Sequence, residues 1–319
     1  MAETESRLRH LPVSFFAMVM GLAGFTLVLQ RATRLWQLPN VIGLVALGIT
    51  VLAFVVLALL YARKILRYGV DVVTEFRHPV KLAFFPTVSI SLILLSTMFL
   101  EVNLNVASFL WFVGVPIQLA LTLMVLNAWI HRTTFEVQHM SPAWFIPVVG
   151  NILVPIPGVV LAAYQVSWFF FAVGLLFWIV LLTIIFNRII FHQPLTERLA
   201  PTLFILIAPP AVGFLAHTRL VGHLDTLAYV LYYSALFLGL VLVTQFRMFA
   251  RLSFYLSWWA YSFPIAALTL ATMQMYQYTG LIGFKWIAAI LALALTALIG
   301  LLLTLTARAA RRGEICVPD

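Results

Sequence analysis

Seven histidines, ten acidic residues and one cysteine are the side chains of this 319-residue chain that could attack, ligate or relay a proton. No constellation gathers them. His10, His78, His131, His139, His192, His217 and His223 all fall in polar stretches or at the ends of apolar ones, as do Glu101 and Asp225. A zinc protease needs two histidines one helical turn apart beside a glutamate, and a phosphate loop needs spaced glycines before a lysine. Neither pattern occurs. An enzyme working inside a membrane would need such groups within its apolar segments. The residues therefore point away from an enzyme and imply neither cofactor nor metal. The single Cys316 excludes an internal disulfide.

What the apolar segments do contain is bend-forming and neutral. Proline removes an N–H and clashes with the carbonyl four residues back, so a helix bends there. The bends make room, and neutral groups such as Ser89, Ser91, Asn151 and Ser262 offer a solute weak contacts. Weak sites suit rapid conduction, because a deeply bound ion leaves slowly. The segment Trp258-Trp259-Ala260-Tyr261-Ser262-Phe263-Pro264 is the most informative. Phe263 falls roughly 16 Å into its apolar run at 1.5 Å per residue, near a bilayer midplane. A ring at such a bend could close a path by excluding water. It could equally pack against lipid or another helix.

The elements that position these residues follow from composition. The chain is 64% hydrophobic and 9% charged, with a mean hydropathy of +1.08. Globular proteins carry about 25% charged residues. Ten apolar segments can be marked, at about 12–30, 38–61, 82–100, 106–130, 142–163, 166–187, 200–216, 226–246, 252–276 and 284–307. The runs do not alternate as barrel strands would, so each reads as a helix. The first is too long, and lacks a small-residue cleavage site, for a signal peptide. Fifteen of the nineteen Lys and Arg fall on one side; Arg31, Arg34, Arg219 and Lys285 fall on the other. That bias places both termini in the cytoplasm. It also accounts for the net charge of +9 through topology and anionic lipid, with no nucleic-acid partner.

Seven of eight interior prolines fall in odd-numbered segments: Pro86, Pro147, Pro155, Pro157, Pro209, Pro210 and Pro264. Pro116 is the exception, and the first segment carries Gly21 and Gly24 instead. The spacing predicts five helical hairpins, each a bent helix followed by a straighter one. Such an array of like units closes in a membrane as a ring. The fold expected is an all-α membrane protein of ten helices, with five proline-kinked helices inside around a central pore and five straighter ones outside. Basic residues at the cytoplasmic mouth concentrate anions. An uncharged tube would pass larger, weakly hydrated anions more easily than small ones.

Several motifs resemble one family. They are Tyr261-Ser262-Phe263-Pro264, His78-Pro79-Val80 with Phe84-Phe85-Pro86, Ile146-Pro147-Val148-Val149-Gly150-Asn151, Ala208-Pro209, and Leu224-Asp225-Thr226-Leu227-Ala228. In order and spacing they are similar to the tellurite-resistance TehA and C4-dicarboxylate carrier family, which includes the slow anion channels of plant guard cells. The resemblance runs over about residues 11–307. It implies a homotrimer with one pore per subunit and a phenylalanine gate, which falls on Phe263. The family usually has a glycine where this chain has Ala17, so the lining near Phe16 and Ala17 departs from the pattern. The reading is an inner-membrane anion channel for chloride- or nitrate-type monovalent anions. Its tails are residues 1–11 and 308–319, and its channel domain is 12–307. The alternative is a secondary carrier for C4-dicarboxylates or for tellurite and toxic-ion efflux. Carriers often show paired halves, which five hairpins do not.

Overall fold

Apolar runs of this length can satisfy their backbone in lipid only by coiling on themselves. A computed structural model describes residues 7–317, and those residues contain helices and connecting turns with no strand. Ten helical segments follow one another. They are α1 (Val13–Leu35), α2 (Val41–Arg67), α3 (Lys81–Phe99), α4 (Leu104–His131), α5 (Pro142–Gly158), α6 (Tyr164–Phe191), α7 (Ala200–Val221), α8 (Thr226–Thr244), α9 (Ser262–Thr279) and α10 (Ile282–Arg311). Eight of them are long and apolar enough to cross a bilayer; α5 is shorter, and α9 falls outside that group. The protein is an integral membrane protein. At 1.5 Å per residue the 28 residues of α4 and of α6 span about 42 Å, the full depth of a bilayer with its headgroups.

Each odd helix packs on the even helix that follows it. The odd helices also pack on one another: α1 on α3, α3 on α5, α5 on α7, α7 on α9, and α9 back on α1. Burial divides the two sets. In their apolar stretches 61%, 67% and 78% of the residues of α1, α3 and α7 are buried, against 22–39% in the even helices. The even helices thus leave most of their side chains for lipid.

The odd helices share a second property. Each contains 3-10 turns: Val13–Phe15, Lys81–Phe84, Pro142–Trp144 with Gly150–Leu153, Ala200–Ile207, and Leu256–Tyr261 leading into α9. Among the described residues no even helix begins this way. The prolines sit where 3-10 gives way to α. Pro86 directly precedes the α-helical part of α3, Pro155 opens the last turn of α5, Pro209 lies in the first α turn of α7, and Pro264 is the third residue of α9. The expected kink in a continuous helix is therefore a change of helix type. In a first turn the missing N–H has no intrahelical partner to lose, and the fixed φ suits the helix. The carbonyl of Asn151, expected to be freed by Pro155, accepts the N–H of Val154 at 3.1 Å in a 3-10 bond. Pro116 lies inside α4, which continues through it.

The helices outrun their apolar stretches at their C-termini. α1 ends at Leu35 rather than near 30, α2 at Arg67 rather than 61, and α7 at Val221 rather than 216. Arg31, Lys64, Arg188 and His217 consequently lie within helices, and the last three are buried. All four lie within about one turn of a helix C-terminus, at the ends of the apolar segments. Cations in the last turns offset the negative end of the helix dipole, and their stems run along apolar surface.

Candidate functional site

Phe263 is the second residue of α9, directly after the 3-10 turn. Its neighbours Ser262 and Pro264 are buried, while Phe263 itself is partly exposed and packs against the core. The seam between α1 and α9 explains its position. A methyl group on Gly24 would stand 3.2 Å from Phe263 Cδ2 and 2.8 Å from Ala266 Cβ. One on Gly21 would collide with Ser262 Oγ and stand 3.0 Å from the Trp259 ring. These glycines let α9 approach α1 closely and give the ring its place. The half-exposed positions of α9 on the same side as Phe263 are Leu270 and Gln274, with Gln277 exposed beyond them. Their spacing of seven, four and three residues keeps them on one helical stripe.

The other neutral residues read as lining are held in other ways. Ser262 Oγ donates to the Trp259 carbonyl at 2.6 Å and faces Gly21. Ser89 is fully buried, with Oγ 3.0 Å from the Pro86 carbonyl and 2.7 Å from Gln118 Oε1. Asn151 Nδ2 donates to the Val148 carbonyl at 2.7 Å and to Thr122 Oγ1 at 3.1 Å. Phe16 is buried and meets Phe54 and Tyr61 of α2 edge-on at 6.0 and 6.1 Å. Ala17 is half-exposed. Phe263, Gly21, Ser262 and Pro264 therefore share the α1–α9 seam, whereas Ser89 and Asn151 belong to a network around α4.

That network was not anticipated from the sequence. Thr122 Oγ1 and Gln118 Nε2 reach the Pro147 carbonyl at 2.7 and 3.2 Å, and Trp111 Nε1 donates to the Val154 carbonyl at 3.1 Å. Trp111, Gln118 and Thr122 stand seven and four residues apart, which keeps them on one face of α4. Gln118 and Thr122 bond the Pro147 carbonyl within the broken stretch of α5, as lipid cannot, while the Val154 carbonyl also accepts the Gly158 N–H at 3.1 Å. The available signal was a glutamine within a 28-residue apolar helix, four residues before a threonine.

Among the described residues, ion pairs gather at the helix ends. At the end holding the N-terminus, Arg9 makes two 3.0 Å bonds to Asp71, and Lys64 Nζ lies 2.7 Å from Glu75 Oε2 with both side chains buried. Glu75 Oε1 also accepts the N–H of Val13 at 2.7 Å, which ties the short helix Gly69–Arg77 to the start of α1. At the opposite end Arg34 pairs with Glu101 at 2.6 Å, and His217 Nε2 meets Asp225 at 2.8 Å. The Ala228 N–H and then His217 hold the Asp225 carboxyl below its ordinary value. Among the described residues no three metal-binding side chains gather.

The chain resembles known proteins over nearly its whole length. The S-type anion channel SLAH2 of Arabidopsis thaliana is 26% identical over 307 residues, covering 94% of this chain and 59% of the plant protein. SLAH3 of the same plant is 27% identical, and this chain spans 42% of it. The chain thus spans about half the length of these plant relatives. A tellurite resistance protein TehA homolog of Haemophilus influenzae is 25% identical over 95% of this chain and 92% of its own length. The SLAC1 family model, described as a voltage-dependent anion channel, matches residues 10–307, and the chain belongs to that family.

Proposed function

We propose that this protein is an anion channel for small monovalent anions such as chloride and nitrate. The five odd helices form an inner ring around an axial path, the five even helices form the outer layer, and the side chain of Phe263 closes the path. Residues 12–307 make the channel domain, flanked by cytoplasmic tails at 1–11 and 308–319. The unit assembles as a homotrimer with one path per subunit in a cell inner membrane. The observation that carries this reading is Phe263 itself, half-exposed inside a seam whose neighbours are buried and backed by Gly24. The closed sequence of odd-helix contacts and the family's plant members, named as anion channels, support it.

The test is current through the purified protein in planar bilayers. Wild type passes small chloride currents, and Phe263→Ala passes several-fold larger ones because the apolar plug is removed. An unchanged current in a folded variant refutes the gate. Saturable exchange at carrier rates, without resolvable channel openings, refutes conduction and favours the carrier reading that a tellurite-resistance relative invites.

A further inference from the structure

Arg31 is the guanidinium that the ion pairs at the helix ends leave unexplained. It lies in α1, one turn before the helix ends, and points across the seam to the side-chain oxygens of Gln274 and Gln277 on α9. Its Nε is buried without a partner. Gln274 and Gln277 belong to the α9 stripe that carries Phe263. Eleven residues separate Phe263 from Gln274, so the guanidinium stands roughly 16 Å along the same face, toward the end away from the N-terminus. Tyr278 OH reaches the Thr218 carbonyl at 3.4 Å and ties the end of α9 to the end of α7. Arg219 follows Thr218 and is exposed, so the Tyr278 tie brings its backbone beside the end of α9 that carries Gln277.

A dipole-capping role covers Arg34, which turns back to the Gln30 carbonyl at 3.4 Å and pairs with Glu101. It does not cover Arg31, which addresses another helix. Among the described residues neither Arg31 nor Arg219 has a carboxylate within ion-pair distance; Glu101 acts on Arg31 only at longer range. With both glutamine oxygens turned to the guanidinium, both amide NH2 groups remain as donors. The cluster is therefore rich in donors and carries two cations without a paired carboxylate.

We infer that Arg31, Arg219, Gln274 and Gln277 form a weak binding site for a small inorganic anion at this mouth, which raises the local anion concentration ahead of Phe263. The inference rests on the axial path proposed above. Removing one charge about 8 Å from an ion in water changes its local concentration about two- to threefold. Screening shrinks that effect at 1 M salt, where the Debye length is about 3 Å.

The experiment compares wild type, Arg31→Gln, Arg31→Lys and Gln277→Leu by two readouts. The first is chloride current entering from the Arg31 side at 20 mM and at 1 M salt, both about a Debye-length test of surface charge. The second is 35Cl NMR line broadening by the detergent-solubilised protein, which needs no conduction. The expected result is a two- to threefold loss of low-salt current in Arg31→Gln that vanishes at high salt, with reduced line broadening and recovery of the current in Arg31→Lys. Gln277→Leu, at an exposed position, should weaken the broadening while leaving the fold intact. Line broadening equal in wild type and Arg31→Gln overturns the site. A wild type that broadens chloride through Arg31 yet passes no current upholds the site and refutes the channel reading alone.

Discussion

Gly24→Ala tests whether close approach of α1 and α9 builds the seam that holds Phe263. The new Cβ would stand 2.8 Å from Ala266 Cβ and 3.2 Å from Phe263 Cδ2. Carbon atoms settle at about 3.5–4.0 Å, so the two methyls must separate by about 0.7–1.2 Å. The phenyl edge can rotate, but both Cβ atoms are fixed to helical backbone, so the helices themselves must part. Overpacking of this kind costs about 1–3 kcal/mol. Ala266→Gly alone costs about 1 kcal/mol through helix propensity. If the two changes were independent, the double variant would lose about 2–4 kcal/mol. If the methyl–methyl contact is the cause, the double variant exchanges one methyl for the other and stays within about 1 kcal/mol of wild type. Reversible unfolding in mixed detergent and SDS micelles, followed by tryptophan fluorescence, gives all four free energies. Additivity within about 0.5 kcal/mol refutes the steric account of Gly24.

Two further outcomes follow from the charged ends. Glu75→Gln leaves the Lys64 ammonium buried without its counter-charge, and breaking such a pair costs about 3–5 kcal/mol. Adding Lys64→Met should recover most of the loss, and a melting temperature in detergent that falls further in the double variant would contradict this. Asp225→Ala removes the N-cap of α8 and the partner of His217, a loss of about 1 kcal/mol. Because the folded carboxyl titrates below the ordinary 3.8, its contribution is complete above that value and disappears as pH falls through the lower folded one. The gap between wild type and Asp225→Ala should close as pH falls below 3.8 through the lower folded value; a gap that widens there is inconsistent with the shift.

The sequence made the helical segments legible because lipid allows an apolar run only one backbone solution. Proline left a visible mark at several junctions between 3-10 and α turns, at Pro86, Pro155, Pro209 and Pro264. Helix ends were less legible. Hydropathy stops where the side chains turn polar, whereas α1, α2 and α7 continue for about another turn with arginine and lysine stems along their surfaces. The 3-10 start of α1 contains no proline at all; the Glu75 carboxylate at the Val13 N–H holds it, and that residue comes 62 positions later. Phe263 stood out through the proline beside it. Gln118 and Thr122 did not, because their meaning lies in the carbonyl of Pro147, which only the packing of α4 on α5 brings near.

These observations assign different work to the two sets of helices. A 3-10 turn has poorer hydrogen-bond geometry than an α turn, and a proline junction leaves carbonyls without donors. Facing lipid, each such carbonyl would remain unsatisfied at a cost of several kcal/mol. The irregular backbone must therefore be buried in protein, and for α5 the neighbouring helix α4 supplies side-chain donors. Helix α4 does this through Gln118 and Thr122, both directed to the Pro147 carbonyl of α5. Helix α4 is thus a condition for the broken backbone of α5. Loss of a donor on α4 should loosen α5 although that donor lies nowhere near Phe263 in the chain.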